Sequence, residues 1–213
     1  MNQNKETGMA CCDTDLSAPQ APAYRRVLWV VLWINAVMFG VEATTGVLAD
    51  SRALQADALD FLGDASTYGL TLWALGQSLT WRLRAARIKG WSLLVMGVLV
   101  LANSGWALVQ GSEPVGETMM GVAALALVAN VVSAVLLLRH RQGDANIRSA
   151  WLCSRNDAIA NLAVLASGSL VIWADSRWPD LLVAGVIAAL FTHSAVSILR
   201  QANREDVSHG ACH

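Results

Sequence analysis

The sequence has 213 residues, of which 55% are hydrophobic and 15% are charged, with a formal net charge of −1. Soluble domains usually contain about 25% charged residues, whereas the apolar residues here form runs of about 20, the length that crosses a hydrocarbon core about 30 Å thick. This pattern excludes a soluble globular domain. The sequence also lacks a basic stripe and a glycine-rich phosphate loop, so it gives no sign of nucleic-acid or nucleotide binding.

Six apolar segments follow one another along the chain, separated by short polar connectors. Backbone groups in lipid must be hydrogen-bonded within their own segment, so each segment is predicted to be a helix. The approximate predicted bounds are 27–48, 53–79, 91–109, 118–138, 150–173 and 181–199. The sequence therefore predicts an all-α integral membrane protein with a six-helix transmembrane bundle.

Basic residues concentrate in the two tails and in the second and fourth connectors, namely Arg25, Arg26, Arg82, Arg84, Arg87, Lys89, Arg139, Arg141, Arg148, Arg200 and Arg204. The other side of the predicted bundle has only Arg52 and Arg177. The positive-inside rule therefore places both termini in the cytoplasm. We expect a disordered cytoplasmic tail at 1–24, a transmembrane domain at 25–200 in the cell inner (cytoplasmic) membrane, and a short cytoplasmic tail at 201–213.

Five acidic residues lie inside the predicted spans: Glu42 in the first, Asp57, Asp60 and Asp64 in the second, and Asp157 in the fifth. A charged side chain at mid-bilayer costs about 2.5–3.5 kcal/mol, so five that faced lipid would cost about 12–18 kcal/mol. That exceeds the usual stability of a domain, which is about 5–15 kcal/mol. These carboxylates must face the bundle interior, a water-filled cavity or a cation.

Two pairs of potential metal ligands have the spacing of one helix turn: Asp60 with Asp64, and Cys153 with Asp157. If the two helices pack face to face, all four groups can converge on one ion. Three carboxylates and a thiolate suit tetrahedral Zn²⁺, and the thiolate disfavours Mg²⁺ and Ca²⁺. We expect no basic residue at the depth of these carboxylates.

Several polar residues in or near the predicted site have an alternative, structural interpretation. Asp57 could cap its helix or face water instead of joining the site, and Glu42 is expected to be a structural partner rather than a ligand. Cys153, taken alone, would be a packing residue. His193 in the sixth span is expected to be a satisfied packing histidine, the alternative being a metal ligand.

The second segment matches the pattern A-D-A-x-[HD]-x-x-x-D of the second helix of cation diffusion facilitators, through Ala56, Asp57, Ala58, Asp60 and Asp64. The fifth helix of that family carries H-x-x-x-D followed by a small polar residue, to which Cys153, Asp157 and Asn161 correspond here. Asn130 matches a recurrent asparagine of the fourth helix. The sequence resembles this family over about 27–199, which is the whole predicted membrane domain.

The resemblance implies efflux of zinc, cadmium or a related divalent ion from the cytoplasm, by proton antiport and alternating access in a homodimer. It implies metal ligation by Asp60, Asp64, Cys153 and Asp157, with Asp57, Glu42, Asn130 and Asn161 as possible accessory residues. Zn²⁺ or Cd²⁺ would be the transported substrate, with no cofactor and no enzymatic activity. A cysteine stands where the family usually has histidine. The histidine-rich loop of some members and the cytoplasmic domain after the sixth helix are expected to be missing, so we expect the homodimer to rest on membrane contacts.

Three other functions remain to be weighed. The protein could be a proton-coupled carrier of Co²⁺, Ni²⁺, Mn²⁺ or Fe²⁺, or a membrane-embedded zinc enzyme, although no histidine stands beside the aspartates as such a site would need. It could also be a non-transporting membrane subunit. The tails contain Cys11, Cys12, His209, Cys212 and His213. These are expected to be incidental, the alternative being that they collect cytoplasmic metal.

Overall fold

The structure is a computed structural model that describes the chain at residues 22–74, 79–138 and 145–210, with side chains at 25–73, 84, 87–138 and 157–200. The described residues form six helices and no strand. The helices are α1 Pro22–Leu48, α2 Arg52–Ala74, α3 Leu79–Gln110, α4 Gly116–Leu138, α5 Ala145–Ala174 and α6 Trp178–Gly210. The predicted all-α bundle of six helices is confirmed. The predicted disordered tail lies mostly outside the described residues.

Three helices extend well beyond the predicted spans. α3 begins at Leu79 rather than near residue 91, α5 begins at Ala145, and α6 continues to Gly210. The basic residues predicted to lie in a connector therefore lie on α3, and α6 continues through residues 201–210. The helices extend this far because hydropathy marks where lipid begins, while backbone hydrogen bonding continues into water until a residue interrupts it. The division into a membrane domain and a short cytoplasmic tail from 201 stays a prediction.

Five of the helices are long and apolar enough to cross a membrane, over Arg25–Leu48, Arg87–Gln110, Gly116–Leu138, Asp157–Ala174 and Trp178–Arg200. α2 has the length but differs from them in carrying Arg52 and three aspartates. The outward faces of the bundle expose large apolar side chains such as Trp33, Val37 and Val98. Because water would not tolerate so many exposed apolar groups, these faces fit a lipid environment and a multi-pass membrane protein.

The most extensive helix pairings are α4 with α5, α3 with α6, and α1 with α2, and α2 also contacts α3, α5 and α6. α4 and α5 approach closely at Gly116 and Gly168, where a methyl group built on Gly116 would lie 2.8 Å from the carbonyl oxygen of Gly168. Small residues at such crossings allow membrane helices to approach backbone to backbone. The central position of α2 places its polar face inside the bundle.

One end of the bundle contains the connectors 49–51, 111–115 and 175–177, and we call it the Asp180 end. Asp180, in the first turn of α6, is fully buried there. Its carboxylate accepts hydrogen bonds from the Ser51 hydroxyl at 2.7 Å, the Arg52 amide at 2.7 Å and the Ala53 amide at 3.0 Å. α6 therefore caps the start of α2 and fixes where that helix begins.

Candidate metal site

α2 presents Asp57, Asp60 and Asp64 to one cavity of about 420 Å³ among α2, α3, α5 and α6. Their offsets of three and four place them on one helix face, as the sequence predicts. Asp57 is buried, while Asp60 and Asp64 are partly buried. Their side chains therefore face the bundle interior, where they avoid the free-energy cost of a charged group in lipid.

α5 brings Asp157 into the same cavity. The carboxyl group of Asp157 lies within hydrogen-bonding range of the carboxyl groups of both Asp60 and Asp64. Asp64 also accepts a hydrogen bond from the Tyr68 hydroxyl at 3.2 Å, which holds its side chain toward the cavity. Acidic groups from two helices that are far apart in sequence thus meet in one interior space.

These contacts do not yet amount to a formed ligand set. Among the side chains that the structure describes, no group of three or more His, Cys, Asp or Glu is arranged to hold a metal ion as it stands. Cys153 belongs to α5, but its side chain lies outside the described residues. The assignment of Asp60, Asp64, Cys153 and Asp157 as ligands therefore remains a prediction, supported by the meeting of three of them.

Glu42 of α1 is fully buried and contacts the carboxyl group of Asp57. Asp57 does not cap α2, because other residues accept hydrogen bonds from the first amides of that helix. The Ser51 hydroxyl accepts one from the Leu54 amide at 3.1 Å, and the Asp180 carboxylate accepts one from the Arg52 amide at 2.7 Å. The helix-cap reading of Asp57 is wrong. A hydrogen bond between two carboxyl groups requires a proton on one of them, so the Glu42–Asp57 pair is a buried place where a proton can reside.

The two asparagines are buried but do not line the cavity. Asn130 of α4 is 3% exposed and Asn161 of α5 is fully buried. Both polar atoms of the Asn161 side chain lack a hydrogen-bond partner among the described residues. Asn161 lies one helix turn beyond Asp157, so its role as an accessory residue remains a prediction.

Sequence reasoning missed the two basic residues among those that the structure shows to line the cavity. Lys89 and His193 both line it, on α3 and α6 respectively. Lys89 contradicts the expectation that no basic residue lies near the carboxylates, because α3 begins earlier than predicted. His193 is exposed rather than packed in the core, so that expectation is also wrong. The spacing of Lys89 and buried Leu93, one helix turn apart, is the signal that could have placed Lys89 on the inner face.

Residues 84–205, more than half of the chain, match the family model described as the cation efflux transmembrane domain. The chain belongs to the cation efflux family. The match begins five residues after the start of α3 and ends five residues before the end of α6. It therefore includes Lys89, Asp157 and His193. The α2 aspartates precede the matched region.

Several known proteins align with most of the chain. Metal tolerance protein A2 of Arabidopsis thaliana is 22% identical over 250 residues, which cover 88% of this chain and 63% of the relative. Zinc transporter ZitB of Escherichia coli is 26% identical over 210 residues, covering 90% and 65%. Metal cation efflux system protein CzcD of Cupriavidus metallidurans is 21% identical over 201 residues, covering 85% and 64%. The chain thus spans a little under two thirds of the length of these relatives.

Proposed function

We propose that this protein transports a divalent transition-metal ion, Zn²⁺ or Cd²⁺, out of the cytoplasm through the cavity between α2 and α5. The ion would be bound by Asp60, Asp64 and Asp157, with Cys153 as the fourth ligand. The observation that carries the proposal is the meeting of the Asp157 carboxyl with those of Asp60 and Asp64 inside a membrane bundle. Buried acidic groups that meet in this way are tolerated when they hold a cation or protons.

The chemistry of the ligand set favours a borderline metal. Carboxylate oxygens alone would suit Mg²⁺ or Ca²⁺, whereas a thiolate shifts preference toward zinc and cadmium. Relatives named as zinc transporters and as a metal cation efflux system support the same substrate class. A carrier of Co²⁺, Ni²⁺, Mn²⁺ or Fe²⁺ remains the second candidate, and a comparison of metals in one flux assay separates the two.

Proton exchange follows from the need of metal ligands to be deprotonated. In the empty cavity the neighbouring carboxyl groups of Asp60, Asp64 and Asp157 can bond to one another only by sharing protons. A metal ion that enters from the cytoplasm would displace those protons, and protons from the other side would later displace the metal. The proposed mechanism is therefore metal–proton antiport.

Alternating access requires that the cavity be closed at one end while it is open at the other. At the Asp180 end, hydrogen bonds tie the connectors together: the Val115 amide donates to the Ala49 carbonyl at 3.0 Å, and the Glu113 amide donates to the Asp50 carboxylate at 2.9 Å. Toward the other end the cavity is lined by polar groups that include Thr67, Ser194 and Ser197. We propose that both termini are cytoplasmic and that the protein lies in the inner membrane, in which case closure at the Asp180 end would make this the inward-facing state. The transporter would act as a homodimer through membrane contacts.

The decisive experiment is metal flux in proteoliposomes with an imposed pH gradient and an internal metal-sensitive dye. Asp157→Asn removes one ligand charge while preserving side-chain volume. Loss of even an outer partner of a metal ligand typically costs about 10–100-fold, so Zn²⁺ flux should fall at least about tenfold. The matched control is Asp175→Asn. This exposed residue has φ 45°, a conformation that asparagine tolerates well, so its flux should equal that of the original protein.

One result would refute the assigned site, and another would refute the antiport mechanism. Zn²⁺ and Cd²⁺ flux of Asp157→Asn at the same rate as the control would remove Asp157 from the site. Flux that is indifferent to the pH gradient in the original protein would exclude antiport while leaving metal transport intact.

A further inference from the structure

Lys89 lies in the carboxylate cavity, although the sequence predicts that it lies in the connector before α3. It lies on α3 and lines the same cavity as Asp57, Asp60, Asp64 and Asp157. Asp64 stands ten residues before Ala74, the last residue of α2, and Lys89 stands ten residues after Leu79, the first residue of α3. With a rise of about 1.5 Å per residue, both side chains are about 15 Å from those facing helix ends, which places them at similar depth.

The ammonium group of Lys89 is close enough to Asp60 and Asp64 for charge–charge attraction. Within the described side chains, however, no ion pair joins Lys89 to either carboxylate at 4.0 Å or less. Lys89 is partly buried and faces the cavity rather than extending away into the membrane surface. A cation held across a cavity from acidic groups, without a direct bond, balances charge without occupying the ligand positions.

The positive charge of Lys89 affects how strongly the cavity binds a metal ion. An ammonium group and an entering divalent ion repel each other twice as strongly as two single charges at the same distance. When the carboxyl groups are ionised, Lys89 attracts them and stabilises the metal-free cavity, whereas it repels a bound divalent ion. Protons in the cavity are repelled by Lys89 as well, so its effect on metal binding is largest at a pH at which the carboxyl groups are ionised. A side chain with this placement must therefore weaken metal binding, and weaker binding speeds release.

We propose that Lys89 is a tethered counter-cation that lowers the affinity of the carboxylate cavity for a divalent ion and so permits rapid turnover. This role rests on the proposed function, because it concerns the metal that the cavity would bind. Lys89 is a positioning residue in this account, since it contacts neither the ion nor its ligand atoms. Its effect is on affinity and release, so removal of its charge should lower the Kd, the KM and the maximal rate together, whereas a merely structural defect would not tighten binding.

The test is Cd²⁺ binding by isothermal titration calorimetry on the full chain in nanodiscs, at a pH high enough to ionise the carboxyl groups, together with Cd²⁺ flux in proteoliposomes at the same pH. Lys89→Gln removes the charge and keeps most of the side-chain length, whereas Lys89→Arg keeps the charge. Because protein and solvent screen much of the repulsion, Lys89→Gln is expected to lower the Kd by on the order of tenfold. The KM for flux and the maximal rate should fall together. Lys89→Arg should stay within about twofold of the original protein.

Arg87→Gln is the matched control, because it removes a positive charge two residues away on the same helix but at a residue outside the cavity lining. Its Kd and flux should not change. An equal Kd for Lys89→Gln and the original protein would overturn the role of Lys89, as would equal tightening by Lys89→Arg. If the original protein itself binds no Cd²⁺ or Zn²⁺, the proposed function fails instead. Size-exclusion profiles of all three variants establish that they are folded.

Discussion

Asp180 of α6 accepts the hydrogen bonds of groups at the start of α2. It accepts hydrogen bonds from the amides of Arg52 and Ala53 and from the hydroxyl of Ser51. The side chain of Asp180 is fully buried, so water cannot replace it easily. Asp180→Ala would leave two backbone amides and one hydroxyl without their acceptor and would also remove a negative charge from the positive end of the α2 dipole.

The expected loss follows from these contacts. A buried donor that loses its partner costs about 1–3 kcal/mol, and loss of a capping side chain usually costs about 0.5–2 kcal/mol. Allowing for water that enters the space left by the side chain, Asp180→Ala should lower the free energy of unfolding by about 3–5 kcal/mol. Asp180→Asn retains one carbonyl oxygen and should lower it by about 1–2 kcal/mol.

The assay is equilibrium unfolding in mixed detergent micelles, followed by the fluorescence of the nine tryptophans. Glu117 provides the control, because it is an acidic residue in the first turn of α4 but is exposed. Glu117→Ala should change the free energy of unfolding by less than about 0.5 kcal/mol. If Asp180→Ala and Glu117→Ala are equally mild, or if Asp180→Asn is as damaging as Asp180→Ala, the capping account is wrong.

Three further predictions concern packing, the buried acid pair and the thiol. Gly116→Ala should destabilise the protein by about 1–3 kcal/mol in the same unfolding assay, because its methyl group would meet the α5 backbone at Gly168, whereas Gly121→Ala meets nothing within 4 Å and should be neutral or slightly stabilising. Glu42→Gln should keep or raise thermal stability, since an amide donates to the neighbouring carboxylate without a shared proton, while Glu42→Ala should cost about 2–4 kcal/mol by leaving a cavity. X-ray absorption of the zinc-loaded protein should contain one sulfur ligand at about 2.3 Å, and a shell of oxygen and nitrogen alone would remove Cys153 from the site.

The sequence predicts the six helices because each apolar run is long enough to cross lipid. It does not predict where the helices end. α3 begins at Leu79 within a stretch rich in arginine, because arginine, leucine and alanine form helices well and hydropathy indicates only the lipid boundary. Because the predicted third helix begins near residue 91, the prediction assigns Lys89 to a connector and not to the cavity.

Helical periodicity predicts that Asp60 and Asp64 share a face, since the backbone geometry is local. It does not predict that Asp157 meets them, because that contact depends on how α2 and α5 pack. The capping of α2 by Asp180 cannot be predicted from local sequence patterns either, since the hydrogen-bond partners of Asp180 lie 127 to 129 residues away in the sequence. Local patterns thus predict helix faces, while the pairing of those faces is a property of the folded bundle.

The most direct test of the account is an anomalous difference map, recorded at the zinc absorption edge, from crystals grown with Zn²⁺. The account predicts a peak between α2 and α5, at about 2.0–2.2 Å from a carboxylate oxygen of each of Asp60, Asp64 and Asp157. A cavity without such a peak, in crystals of protein that transports Zn²⁺ in liposomes, would contradict it.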